Sequence, residues 1–229
     1  MSSKVNAVAA MIILAVLLAL CHAAGTELER RIRSGETEET FKLSNKVDVI
    51  VDAGHGGADA GKTGVNGEKE KEINLQISDK IKKLLLDQGI SVRMTREGDD
   101  RLADSQREDL QARVDIINSG ARLAVSIHQN SYHDPAVWGA QVFYYTDSEH
   151  GRSAAGMIQE ELNKLSPDHK KKIRANNTYY ILKNTDIPTV IVECGFLSNH
   201  TEAGKLSDDA YQSAVAEAVV RGVLQYIND

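Results

Sequence analysis

The spacing of apolar residues changes at about residue 47. From there, short apolar runs alternate with stretches in which apolar residues recur every three or four positions. Short apolar runs indicate buried strands, and the wider spacing indicates amphipathic helices. The predicted strands are 47–51, 90–94, 122–127, 139–145, 179–182 and 189–192, and the predicted helices cover 73–85 (ending at Gly89), 106–118, 149–165 and 211–227.

This alternation predicts a fold class. Strands that alternate with helices are typical of an α/β protein, here a single layered domain with a largely parallel central sheet of about six strands flanked by helices. In such folds, functional residues lie on loops at the carboxyl ends of strands. His55 follows the first predicted strand, His128 ends the third, and Glu193 ends the last.

The first 24 residues have a different pattern. Lys4 precedes an apolar run, and small residues follow it, as in a secretory signal peptide. The apolar run is also just long enough to span a bilayer, so an uncleaved membrane anchor is the alternative. A lipoprotein signal is disfavoured because Leu20, and not a small residue, precedes Cys21. Each of these interpretations predicts an exported protein, either secreted or tethered to the outer face of the membrane, with membrane contact only through this segment.

Residues 25–46 are rich in charge and poor in apolar side chains. Such a segment cannot bury enough surface to fold alone, so we predict a charged stalk. Residues 47–229 then form the folded domain. The formal net charge of −6 argues against nucleic-acid binding, which needs a basic surface. Cys194 is the one cysteine outside the leader, so the domain must be stable without an internal disulfide.

The segment 56–63 matches the phosphate-loop pattern G-x-x-x-x-G-K-[ST] and follows an apolar strand. A nucleotide-binding protein is therefore one alternative. Two features weaken it. A phosphate loop leads directly into a helix whose amide groups hold the phosphates, whereas Gly64, Asn66 and Gly67 intervene here. An exported protein is also separated from cytoplasmic nucleotide.

Two histidines favour a metal site. His55 lies among glycines on a tight loop, and His128 follows an apolar strand. Two histidines and one carboxylate, with the fourth position open, are a recurring catalytic zinc arrangement. Glu68, Glu70 and Glu72 all lie within reach of such a site, and their spacing alone does not choose among them.

Four motifs then occur in a fixed order. They are Val51-Asp-Ala-Gly-His-Gly-Gly57, Gly67-Glu-Lys-Glu-Lys71, Ser126-Ile-His-Gln-Asn130 and Val192-Glu-Cys-Gly-Phe-Leu-Ser-Asn199. Together they resemble the zinc-dependent N-acetylmuramoyl-L-alanine amidases, often called amidase 3, from about Val47 to the C-terminus. One departure is Ala53, where the family usually has proline.

The resemblance implies that His55, Glu70 and His128 bind zinc (Zn²⁺) and that Glu193 is the catalytic glutamate. It also implies hydrolysis of the amide bond between N-acetylmuramic acid and L-alanine in bacterial peptidoglycan. The short layout is similar to amidases of spore-forming bacteria that act in cortex maturation and germination. An activating protein partner is left open. The alternatives are a non-catalytic wall-binding module and a different zinc peptidase, because a fold does not fix a substrate.

Overall fold

The computed structural model describes residues 13–14, 16–27, 29 and 47–229. Residues 13–14, 16–27 and 29 are helical, and they belong to a unit separate from Val47–Asp229. Most of the leader (1–24) and the stalk (25–46) lies outside the described residues, so both remain predictions. Within the described parts of the chain, no helix is both long and apolar enough to cross a membrane.

A six-stranded sheet forms the centre of the second unit. Its strand order is β2-β1-β3-β6-β4-β5, and only the β4–β6 pair is antiparallel. The mostly parallel α/β sheet confirms the predicted fold class. The strands are β1 (Val49–Ala53), β2 (Val92–Met94), β3 (Leu123–Asn130), β4 (Gln141–Tyr145), β5 (Arg174–Asn176) and β6 (Thr189–Phe196).

Helices cover both faces of this sheet. They are α1 (Glu70–Asp87), α2 (Gln106–Ile117), α3 (Glu149–Asn163), α4 (Tyr180–Asn184), α5 (His200–Leu206) and α6 (Asp209–Asn228), and a 3₁₀ turn covers Pro167–His169. Helix α1 ends where the sequence predicts, because Gly89 adopts a φ of 75° that ends the helix without the strain a side chain would cause.

Alternation along the central strands divides the core between the two faces. Val49 and Val51 pack in the large core with α1, α3 and α6, whereas Ile50 points to the other face and packs with Ile117 of α2 and Ile181 of α4. Strand β1 is therefore buried on both sides, as expected for a central parallel strand. Helices therefore pack against both faces of the sheet.

The prediction of a strand at residues 179–182 is wrong. Tyr180–Asn184 forms the short helix α4, and the strand in this region is β5, which lies just before it. Ile181 and Leu182 pack into different apolar clusters, as neighbouring residues on a helix can. The apolar run is too short for its periodicity to separate a strand from a helix.

Candidate active site

The carboxyl ends of three neighbouring strands bring the predicted site residues together. His55 follows β1, His128 lies near the end of β3, and Glu193 lies in β6. The parallel register places Glu193 directly beside His128. Glu70, the first residue of α1, completes the group, and all four residues line one cavity of about 460 Å³.

Two imidazoles and one carboxylate converge in this cavity. Oε1 of Glu70 lies 3.2 Å from Nε2 of His55 and 3.0 Å from Nδ1 of His128. One potential ligand atom from each residue lies within 4.8 Å of the other two. This spacing and this nitrogen and oxygen donor set fit a single metal ion such as zinc.

The electrostatics of these three side chains also favour binding of a cation. Glu70 is only 3% exposed, yet the hydrogen bonds and charges of His128 and His55 outweigh burial and hold the pKa of its carboxyl far below its usual range. Burial alone would lower the pKa of His55, but its hydrogen bond to Glu70 helps to raise that pKa to about 9. A buried negative charge between two imidazoles stabilises positive charge at this point.

Of the three candidate glutamates, Glu70 is the one that the local fold places in this cavity. Its main-chain N–H donates to Lys62, and its Oε2 accepts a 2.8 Å hydrogen bond from the N–H of Lys62. Its Oε1 also accepts from the main chain of Gln129. Glu68 and Glu72, in contrast, are exposed to solvent. Sequence spacing alone could not separate these three residues, but burial does.

His55 occupies an unusual backbone conformation. Its φ is 63°, the one positive φ of a non-glycine residue among the described residues. A conformation of this kind needs support from its surroundings. Two buried guanidinium groups provide it. Arg113 donates to the main-chain oxygens of Ala53 and His55, and Arg96 donates to those of Ala53 and Gly54.

Carboxylates balance the charge of Arg113. Its guanidinium donates to Asp52 at 2.7 Å and to Asp109 at 2.8 Å. Burial favours the neutral form of Asp52, but the charge of Arg113 and hydrogen bonds from Ser126 and Thr95 lower its pKa to about 2. Arg113, Asp52 and Asp109 therefore form a network of charged side chains, and this network contacts the loop that carries His55.

Asp59 contacts the other nitrogen of the His55 ring and so orients the ring. Its Oδ2 lies 2.9 Å from Nδ1 of His55, and its Oδ1 accepts from the main chain of Gly61. This contact leaves Nε2 of His55 to face Glu70. Carboxylate contacts of this kind commonly fix the orientation of a metal-binding histidine.

Glu193 is placed and charged differently from Glu70. It is 9% exposed, and burial raises its pKa to about 7 although the nearby charge of His128 opposes this. Its Oε2 is buried and has no hydrogen-bond partner within the described part of the chain. A carboxyl with a pKa near neutrality is suited to accept and return a proton.

Comparisons with known proteins agree with this geometry. A family model described as N-acetylmuramoyl-L-alanine amidase matches residues 49–225. The chain belongs to this family. The predicted family and the predicted amidase activity on peptidoglycan are therefore confirmed.

Individual relatives of this amidase come from several bacteria. It is 36% identical to the germination-specific N-acetylmuramoyl-L-alanine amidase of Bacillus subtilis, over 83% of each chain. The CwlD amidase of Clostridioides difficile, solved in complex with the GerS lipoprotein, matches with a TM-score of 0.77 and 35% identity, covering 80% of this chain and 99% of that one. The catalytic domain of CwlV from Paenibacillus polymyxa matches with a TM-score of 0.72 and 29% identity, covering 80% and 98%.

In the loop of this amidase that matches the phosphate-loop pattern, several main-chain N–H groups already have hydrogen-bond partners. The N–H groups of Gly57, Gly61 and Lys62 donate to the side chains of Asp99, Asp59 and Glu70, respectively. The N–H groups of Gly56 and Gly64 donate to main-chain oxygens. These N–H groups are not available to hold phosphates, which argues against a nucleotide site.

Sequence reasoning missed several residues of the amidase site. Asp59 and Arg96 carry no distinctive signal, although Asp59 follows His55 at a four-residue spacing. Tyr179 and Ile181 line the cavity, although their apolar run predicts a strand. Two other aromatic residues do not line this cavity: Tyr144 is buried in the core, and Trp138 packs against His169. Cys194 is fully buried, and burial raises the pKa of its thiol.

Proposed function

We propose that this amidase is zinc-dependent and that it cleaves the amide bond between the lactyl group of N-acetylmuramic acid and the L-alanine of the stem peptide. The convergence of His55, Glu70 and His128 beside Glu193 in one cavity is the observation that carries this proposal. Two histidines, one carboxylate and an open cavity are the components of a hydrolytic zinc site.

His55, Glu70 and His128 would hold the metal. A zinc ion bound there supplies a Lewis acid that polarises a carbonyl oxygen. The protein contributes the placement. Asp59 orients the His55 ring, and the main chains of Lys62 and Gln129 fix the two oxygens of Glu70. The ligands are thus held in place before substrate binds, which reduces the reorganisation needed for catalysis.

Glu193 acts as the acid–base group. Its buried carboxylate accepts a proton from the water molecule that attacks the scissile carbonyl. It then returns this proton to the nitrogen of L-alanine as the amide bond breaks. A pKa of about 7 suits both steps, because the group can be either ionised or protonated near neutral pH.

The cavity also has a surface for substrate. Leu110, Tyr179 and Ile181 supply apolar and aromatic area, while Asn130 and Ser131 supply polar groups. A mixed lining of this type suits a sugar that carries a peptide, because such a ligand presents both carbon faces and hydrogen-bonding groups.

We propose that the enzyme acts outside the cytoplasm, on the cell wall of a spore-forming bacterium. We further propose that it acts during cortex maturation or germination. The named germination role of the Bacillus subtilis relative supports this placement. The Clostridioides difficile relative was solved with a lipoprotein bound, so a protein partner of this chain is part of the proposal.

The decisive experiment combines metal analysis with product identification. The full chain, loaded with zinc, is incubated with defined muropeptides, and the products are identified by mass. We expect one zinc per chain and release of a peptide that begins with L-alanine. Glu193→Gln should keep its zinc and lose at least about 100-fold in rate, the usual scale for an acid–base group.

Two results would favour the alternatives. Full turnover by a metal-free preparation would rule out the zinc mechanism. Zinc binding without cleavage of any muropeptide would favour a wall-binding module, and cleavage at another peptide bond would favour a different peptidase.

A further inference from the structure

A guanidinium group lies at the sheet edge next to the cleft. Arg174 is the first residue of the edge strand β5, and it is exposed to solvent. Its Cζ lies 5.9 Å from the centre of the Phe143 ring. Among the described residues, no carboxylate lies within ion-pair distance of Arg174. Its charge is therefore available to a ligand.

Two aromatic rings connect Arg174 with the catalytic cavity. The Phe143 ring lies 5.5 Å from the ring of Tyr179, measured between centroids. Tyr179 in turn lines the cavity together with Glu193. Burial and then the charge of Glu193 raise the pKa of Tyr179, while the charge of Arg174 lowers it. Tyr179 is thus close enough to both groups to sense both charges.

The surroundings of Arg174 are basic in an otherwise acidic chain. The whole sequence has a formal net charge of −6, but residues 169–174 read His-Lys-Lys-Lys-Ile-Arg. Lys170 and Lys172 are exposed like Arg174. Lys171 lies over the ring of Phe196, the last residue of β6. A local concentration of positive charge attracts an anionic group.

We propose that Arg174 and Tyr179 form a subsite that binds a carboxylate of the peptide part of the substrate. This inference rests on the proposed function, which places a peptide in the cleft. The peptide ends in a carboxylate, whereas the lactyl carboxyl of the sugar is consumed in the scissile amide. Arginine matches a carboxylate with two parallel hydrogen bonds. The Tyr179 ring supplies the contact surface between that carboxylate and the scissile bond.

Steady-state kinetics with two substrates test the subsite. One is a muropeptide whose peptide carboxylates are free, and the other is the same molecule with those groups converted to carboxamides. We expect wild type to prefer the first. Arg174→Ala should raise KM for the free carboxylate about 10-fold, the scale of a charge-assisted hydrogen bond, and leave kcat within about twofold. KM for the carboxamide should not change.

Two further variants control for folding and for general charge effects. Arg174→Lys keeps the charge and should recover part of the lost affinity. Arg152→Ala removes another exposed arginine, from α3, and should leave the kinetics with both substrates unchanged. An equal change of KM for both substrates in Arg174→Ala, or no change for either, would overturn the subsite.

A binding measurement separates this inference from the proposed function. The free stem peptide is titrated into the full-length wild-type chain and into Arg174→Ala by calorimetry. Binding that is lost in the variant supports the subsite even where no muropeptide is cleaved, and the proposed function alone would then fail. Equal binding to both chains overturns the subsite even where cleavage is normal.

Discussion

Nη2 of Arg113 donates a 2.6 Å hydrogen bond to the main-chain oxygen of His55, a residue that lies 58 positions earlier in the sequence. The same guanidinium also donates hydrogen bonds to the main-chain oxygen of Ala53 and to the carboxylate of Asp52. These bonds fix the end of β1 and the following loop to α2. His55 has a φ of 63°, which an isolated histidine rarely adopts. The proposed metal ligand is therefore held in place through its backbone as well as through its ring.

Arg113→Lys tests this backbone support. Lysine keeps the positive charge but cannot reach two carbonyl oxygens and two carboxylates at once. We expect zinc affinity to fall by about 10- to 100-fold, the effect seen when groups that orient metal ligands are altered. The affinity is measured by competition with a chromophoric chelator, and circular dichroism checks that the chain remains folded.

Arg122→Lys is the matched control. Arg122 also donates to a main-chain oxygen, that of Ile227, but it precedes β3 at the end of the sheet opposite to the site. We expect this variant to bind zinc like wild type. Equal losses of zinc affinity in both variants would show a general effect of arginine replacement and not support of His55.

Asp59→Asn tests the ring contact of His55. Asparagine retains the size of the side chain but removes the negative charge that faces Nδ1. The expected loss of zinc affinity is again about 10- to 100-fold. Asp104→Asn changes an exposed aspartate in the same way and should have no effect. Unchanged affinity in Asp59→Asn would limit Asp59 to a role in the loop backbone.

Gly54→Ala tests the close approach of β1 to the second histidine. A Cβ atom at position 54 would overlap the ring of His128, which is not free to move because it lies beside Glu70. We expect loss of stoichiometric zinc binding and of turnover while the sheet still forms. Gly156→Ala is a suitable control, since a Cβ there meets no atom within 4 Å. Zinc-loaded, active Gly54→Ala enzyme would contradict this steric argument.

The central strands and main helices could be predicted from the sequence because their apolar periodicity is strong. Strand β5 could not, since Arg174-Ala-Asn176 is polar and forms a strand only by pairing with β4 at the sheet edge. Edge strands tolerate such residues because one side faces solvent. The short helix α4 was missed for the opposite reason, as its apolar residues fit a strand equally well.

The sequence predicted which residues meet in the cavity, but it did not predict the residues that hold them in place. Histidines at strand ends can be recognised in a sequence, and the family resemblance selected Glu70 from three nearby glutamates. The contact between Arg113 and His55 depends on how α2 packs against the sheet, which no local pattern encodes. Tyr179 lines the cavity immediately before α4, so the incorrect strand prediction for this segment also concealed a residue of the cavity.

Replacement of both Lys62 and Thr63 by alanine distinguishes the metal site from a phosphate loop. In a phosphate loop, these two side chains contact phosphate and magnesium and are indispensable. Here both are exposed, and Lys62 forms its hydrogen bonds with Glu70 through its main chain. We expect the double variant to retain zinc and most activity, whereas His55→Ala should lose both. Micromolar ATP binding that requires Lys62 and Thr63 but not His55 would reverse this assignment.

The ionised network beneath the site predicts acid sensitivity. Asp52 has a pKa of about 2 in the folded protein, below its ordinary value of 3.8, because Arg113, Ser126 and Thr95 stabilise its charge despite burial. A group whose pKa is lowered on folding stabilises the folded state fully above its ordinary pKa. That contribution is lost as the pH falls towards the pKa of the folded state.

We therefore expect Asp52 to contribute about 2 kcal/mol to the free energy of unfolding at pH 6, and this contribution should disappear between about pH 4 and pH 2. Urea denaturation across this range measures it, with a chelator present so that metal release does not contribute. Asp52→Asn should be less stable than wild type at pH 6, because Arg113 loses a charged partner. Its stability should also fall less steeply with acid, since it lacks the titrating group. Parallel pH profiles for the two chains would show that Asp52 does not carry the acid sensitivity.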